Sequence, residues 1–169
     1  MVCVSIPGLA IAVVYDQELV WSRGFGVADL RAGTPVTPTT IFRIASITKI
    51  FTSTAILQLR DRGLLGLDDP VQKHLPWFTY RNRHAEGPAV TIRQLLTHTS
   101  GMPRESAFPY WTDHVFPTRE QMIEALHRQE SIFEPETRHK YSNLGMAILG
   151  EIVAAVSGGS YDAFVTRNI

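Results

Sequence analysis

Ser46-Ile47-Thr48-Lys49 places a hydroxyl and an amine three residues apart, where the residue pattern reads as the start of a helix. A serine is a poor nucleophile near neutral pH unless an adjacent base takes its proton as it attacks a carbonyl. An amine can do this only when neutral. Positions i and i+3 share one helix face, so Lys49 can reach back to the Ser46 hydroxyl. Burial and the positive end of a helix both disfavour an ammonium and would draw the Lys49 pKa down towards the working range. The alternative is a helix cap at Ser46 or Thr48 with Lys49 as a solvated first-turn residue. Lys49 lies between Ile44-Ala45 and Ile50-Phe51, apolar flanks that favour an enclosed amine.

A second group of functional side chains, Tyr141-Ser142-Asn143, begins 95 positions after Ser46 and follows a Pro-containing loop. Beside a lysine, the Tyr141 phenol could be held partly as phenolate or could pass the Ser46 proton to a leaving group. Asn143 could hydrogen-bond the carbonyl of a substrate amide or ester. The structural alternative makes Tyr141 a half-buried packing residue and Asn143 a helix N-cap. Tyr80-Arg81-Asn82 repeats the Tyr-x-Asn form, but in a polar loop with no helix behind it. His98 reads as a packed turn histidine bonded to backbone rather than as a catalytic base. No Gly-x-Ser-x-Gly elbow is present.

The elements that must position these groups are legible from periodicity and punctuation. Leu9 to Tyr15 and Leu19 to Val27 read as two strands of an antiparallel hairpin turning at Asp16-Gln17-Glu18. Gly24 and Gly26 in the second strand suggest a bend or close packing against another backbone. Gly33 to Thr40 reads as a loop. From Thr48 a helical repeat of Phe51, Ala55, Ile56 and Leu59 runs to Gly63. Shorter helices are expected from about Leu67 to Leu75, within Thr91–Leu96 and over Thr118–Gln129, and Arg81 to Pro88 is expected to be polar loop. Leu144, Ala147, Ile148, Ile152, Ala155 and Val156 form an apolar stripe capped by Gly158-Gly159, and Tyr161 opens a last helix. The order is two or three strands and then about five helices, an α+β arrangement in which residues 1–45 hold the strands and residues 46–169 the helical region. So small a sheet leaves edges that call for partner strands.

Composition narrows the functional classes. The 169 residues are 44% hydrophobic and 19% charged, with 16 basic and 16 acidic side chains. This fits a globular domain with a real core and gives no basic excess for nucleic acid. The single Cys3 supports no disulfide framework and reads as an inert small residue. The six histidines lack metal-ligand spacing, so no metal is expected. Neither a secretory signal nor a membrane span is visible in the sequence.

Several segments then line up with one family. They are Pro7-Gly8-Leu9-Ala10, Gly24 to Asp29, Phe42 to Lys49, Leu64 to Val71, Thr91 to Gly101 and Tyr141 to Gly145, in one colinear order. Together they resemble the serine beta-lactamase and penicillin-binding-protein superfamily, in its class C-like branch of beta-lactamase-related hydrolases. The resemblance implies a partial beta-lactamase/transpeptidase-like fold, an α+β chain with an incomplete N-terminal antiparallel sheet followed by a mostly helical region. It implies a serine hydrolase working through an acyl-enzyme on a beta-lactam, a D-alanyl peptide or a small ester. Ser46 would be the nucleophile, Lys49 its hydrogen-bonded base, Tyr141 the proton-transfer partner and Asn143 a substrate-orienting amide, with Lys49 and Tyr141 both open as the acylation base.

No cofactor is implied, and the partners expected are a small-molecule or peptide substrate and association through unpaired sheet edges. The family's third element, Lys-Thr-Gly or His-x-Gly, does not occur in these 169 residues. That strand supplies one oxyanion donor in the family, and losing one such donor costs about 100- to 1000-fold in rate. A partial sequence is therefore expected, and a truncated, non-catalytic relative that binds a ligand or partner is the alternative.

Overall fold

The structure is a computed structural model and describes residues 6–83, 87–113 and 115–169. Cys3 and part of the loop expected around Arg81 to Pro88 lie outside the described residues. Two compact units are present, one ending at Ala45 and the other beginning at Ser46.

In the first unit, β1 (Gly8–Tyr15), β2 (Glu18–Asp29) and β3 (Thr34–Pro35) form an open antiparallel sheet in the order β1-β2-β3. The hairpin turns at Asp16 and Gln17, both with positive φ (49° and 67°), matching the twist that a two-residue turn must share with its strands. Gly24 lies where any Cβ would run into the Val36 carbonyl, and Gly26 adopts φ +70° with its open side against the Pro7 carbonyl. Both glycines therefore mark close backbone approach. The short β3 falls where a plain loop was expected. Val36 donates its N–H to Gly26 at 3.0 Å, which draws this Pro-containing segment onto β2 despite its poor strand composition. Register puts Leu9, Ile11 and Val13 opposite Phe25, Arg23 and Trp21 on one face.

The second unit is helical. A single 3-10 turn (Ala45–Ile47) leads into α1 (Thr48–Asp61), followed by α2 (Val71–His74), α3 (Ile92–Leu96), α4 (Tyr110–Asp113), α5 (Arg119–Leu126), α6 (Asn143–Ser157) and α7 (Tyr161–Asn168). Ile56 and Leu59 of α1 pack in one core with Leu149, Ile152 and Val153 of α6, together with Phe78, Leu95 and Met102. All eight side chains are fully or almost fully buried. α3 and α5 open with reciprocal capping boxes, Thr91 with Gln94 and Thr118 with Gln121, each satisfying two otherwise orphaned backbone donors. α5 stops at Leu126, short of the expected Gln129. α4 had no apolar repeat to announce it. α6 ends at Gly158 in the left-handed conformation that suits glycine there.

Candidate functional site

Ser46 stands in the 3-10 turn rather than on α1 itself, so the expected shared helix face is replaced by a tighter turn running straight into the helix. The result is the same proximity: Lys49 Nζ donates to Ser46 Oγ at 3.3 Å. The preceding residue, Ala45, holds φ +45°, a left-handed conformation that costs a non-glycine residue about 1 kcal/mol. Ser46 is exposed and Lys49 half-buried. Of the apolar neighbours expected to enclose the lysine, Ile44 and Ile50 do not bury themselves around it, at 45% and 65% exposed. The Tyr141 ring flanks it instead, its centroid 4.9 Å from Nζ.

Tyr141 arrives from the segment before α6, and its hydroxyl shares a 2.8 Å hydrogen bond with Ser46 Oγ. Three residues picked out by type and spacing thus meet within hydrogen-bonding reach. The Lys49 amine, and after it the Ser46 hydroxyl, hold the Tyr141 phenol below its ordinary value, and the Arg104 guanidinium 5.3 Å from the ring centroid acts in the same sense. A phenol so placed gives up its proton at lower pH than a free tyrosine.

α6 begins at this point because Ser142, not Asn143, is its N-cap. Ser142 Oγ accepts from Gly145 N–H at 2.8 Å and donates to the Pro103 carbonyl at 2.6 Å, while the backbone N–H groups of Asn143 and Leu144 donate to the Arg104 carbonyl. Capping by the middle residue leaves the side chains on either side of it available for other partners. Asn143 Nδ2 donates to Glu105 Oε1 at 2.7 Å.

Glu105 was not marked by any sequence signal, because it sits in an irregular loop where periodicity carries no information. Burial alone would raise its carboxyl. Donation from Tyr110, Asn143, Trp111 and Arg104 outweighs that and holds it below the ordinary carboxylate range. Tyr110 of α4 donates to its other oxygen at 2.6 Å. His98 is bonded to backbone as expected, and the backbone it holds is that of the Tyr-x-Asn segment itself: Ser142 N–H donates to its Nδ1 at 3.3 Å. Tyr80 packs against Phe78 and Asn82 accepts from Ser131, so the second Tyr-x-Asn stands among other partners. Among the described residues no group of His, Cys, Asp or Glu could hold a metal ion.

The chain matches the family model described as Beta-lactamase over residues 3–169. It is 37% identical over 172 residues to Beta-lactamase-like protein 2 of Dictyostelium discoideum, covering 98% of this chain and 31% of that protein. Among solved structures it superposes on the octameric penicillin-binding protein homologue from Pyrococcus abyssi with a TM-score of 0.79 and 36% identity, covering 97% of this chain and 38% of the other. With the beta-lactamase/D-alanine carboxypeptidase from Yersinia pestis the TM-score is 0.80 at 28% identity, covering 96% and 47%. The chain thus spans about a third of the length of the curated relative and less than half of either solved chain. A match that runs almost end to end, over an open antiparallel sheet followed by helices, places this chain in the beta-lactamase family.

Proposed function

We propose that this chain carries the nucleophile and proton-transfer groups of a serine hydrolase acting through an acyl-enzyme. The observation that carries the reading is the pair of contacts at Ser46 Oγ, 2.8 Å to Tyr141 and 3.3 Å to Lys49. Ser46 Oγ attacks a carbonyl carbon, and its proton passes to Tyr141, the nearer group and the one whose phenol is held low. Lys49 donates towards Oγ and lies beside the phenol ring. The tetrahedral intermediate collapses by breaking the carbonyl C–N or C–O bond, and the leaving nitrogen or oxygen takes the proton from Tyr141. Water then attacks the Ser46 ester, its proton returning through the same tyrosine, and the acid is released.

Asn143 is assigned to orient the substrate carbonyl or amide with the amide proton that Glu105 does not take. The substrate is an acyl compound with an activated or amide carbonyl, a beta-lactam, a D-alanyl peptide or a small ester. The names of the penicillin-binding and carboxypeptidase relatives lend support to the first two. A purely binding relative is not favoured, since binding alone would not require this three-group geometry.

The test is covalent labelling with a fluorescent penicillin and with a fluorophosphonate. Wild type is expected to be labelled and Ser46→Ala not. Equal labelling of both would refute the assignment.

A further inference from the structure

Residue 98 touches the chain on both sides of Tyr141. Its carbonyl accepts the Lys140 N–H at 2.7 Å, and its ring Nδ1 accepts the Ser142 N–H at 3.3 Å. Between those two bonds the imidazole lies against the phenol ring, centroids 4.7 Å apart and tilted by 42°. The backbone of His98 is itself in the left-handed region, φ +59°, which an irregular turn holds only where surrounding contacts require it. Ser142 is 1% exposed, so its N–H has no ready exchange of the imidazole for water.

We propose that His98 is a positioning residue that fixes Tyr141 against Ser46 by gripping the backbone before and after the phenol. The inference rests on Tyr141 being the proton-transfer group of the proposed function. An acceptor role at Nδ1 puts the ring proton of the neutral imidazole on Nε2. Protonation turns Nδ1 into a donor facing the Ser142 donor, and the grip is lost on that side. The charged or titratable groups around the ring are His139, edge-on at 5.8 Å, Lys49, and Tyr141 with Arg104 over its ring. Burial first, then His139 and Lys49, push the imidazole below its ordinary value. The neutral ring is therefore the native one. Its contribution is complete above about pH 6.5, the ordinary histidine value, and is lost as pH falls through the lowered one.

The test has two arms. In proton–nitrogen correlation spectra of this chain from pH 8 to 5, the Ser142 amide is expected to shift with the same midpoint as the His98 ring protons. A Ser142 amide indifferent to the His98 titration overturns the proposal without any substitution being made. The second arm compares variants in the rate constant of acylation by fluorescent penicillin at saturating probe. His98→Asn keeps an acceptor near the Nδ1 position and tolerates a left-handed backbone. His98→Gln carries its acceptor further out, nearer Nε2. Gln is expected to slow acylation about 100-fold, the scale for misplacing a reacting group by an ångström, with the half-saturating probe concentration unchanged. Asn is expected to recover most of the rate and to lose the acid limb of the pH profile. Gln performing as well as Asn overturns the proposal. Wild type that takes no label at all removes the proposed function, and the amide titration then decides the grip by itself.

Discussion

Tyr141 concentrates the chemistry of this site in one phenol. Its lowered pKa comes first from Lys49 and second from Ser46, so phenolate is populated at lower pH than in a free tyrosine. If phenolate is the acceptor, acylation rises with pH through an inflection below about 10, the ordinary tyrosine value. Tyr141→Phe is expected to remove that inflection and to lower the acylation rate about 100- to 10,000-fold, the range for a positioned acid–base group. A stopped-flow pH series on both proteins checks this. Lys49→Met removes the largest cause of the shift, so ultraviolet titration should show the Tyr141 phenol returning towards its ordinary value; an unmoved titration would contradict the assigned cause.

Ser46, Lys49, Tyr141 and Asn143 could be nominated from the sequence because two short patterns, each common by itself, fall in one colinear order with the segments that resemble the family. Glu105 and the Nδ1 bond of His98 could not, because both depend on a loop whose path follows from long-range backbone pairing. Gly101 shows how: at φ +73° it passes so close to the Phe133 carbonyl that no Cβ fits, and Ile132 N–H donates to the Gly101 carbonyl at 2.8 Å.

The elements divide into those written in local pattern and those imposed by tertiary contact. α1 and α6 announced themselves through three- and four-residue apolar steps, and their faces meet in the core at Ile56, Leu59, Leu149, Ile152 and Val153. Leu149 is fully buried, so Leu149→Ala is expected to cost about 2–5 kcal/mol in urea unfolding. β3 and α4 carry no such repeat: one is drawn onto β2 by the Val36 bond, the other lies beside the Glu105 carboxylate through Tyr110.

Asp69 governs the connection into α2. Lys73 donates to one of its oxygens at 2.7 Å, and Gly66 N–H and the His74 ring engage the other. These partners hold its carboxyl well below the ordinary carboxylate range, Lys73 first, then Gly66 and His74. A carboxyl depressed in the folded state stabilises fully above its unfolded value, about 3.9, and that stability is lost as pH falls towards the depressed one. Asp69→Asn should therefore flatten the acid side of the stability profile measured by urea midpoint between pH 5 and 2. An unchanged slope would contradict the role.

At the scale of the whole molecule, the described residues contain no single helix long and apolar enough to cross a membrane. The sheet face carrying Leu9, Ile11, Val13, Trp21 and Phe25 around Arg23 leaves each of these apolar side chains at least 40% exposed, a largely apolar surface of the kind that pairs with another. The 169-residue chain is expected to self-associate with rising concentration, as sedimentation equilibrium would record; a monomer throughout would contradict it. A polypeptide that adds a Lys-Thr-Gly or His-x-Gly strand is expected to acylate about 100- to 1000-fold faster than this chain, the scale of one oxyanion donor.

Ser142 belongs at once to the grip on Tyr141 and to the first turn of the main core helix. Warming that unravels this helix from its leading end would therefore carry the phenol away from the serine in the same event. Thermal inactivation is therefore expected to precede or accompany the melting of ellipticity and never to lag it, so that an assay of residual labelling serves as a thermometer for this end of the helix.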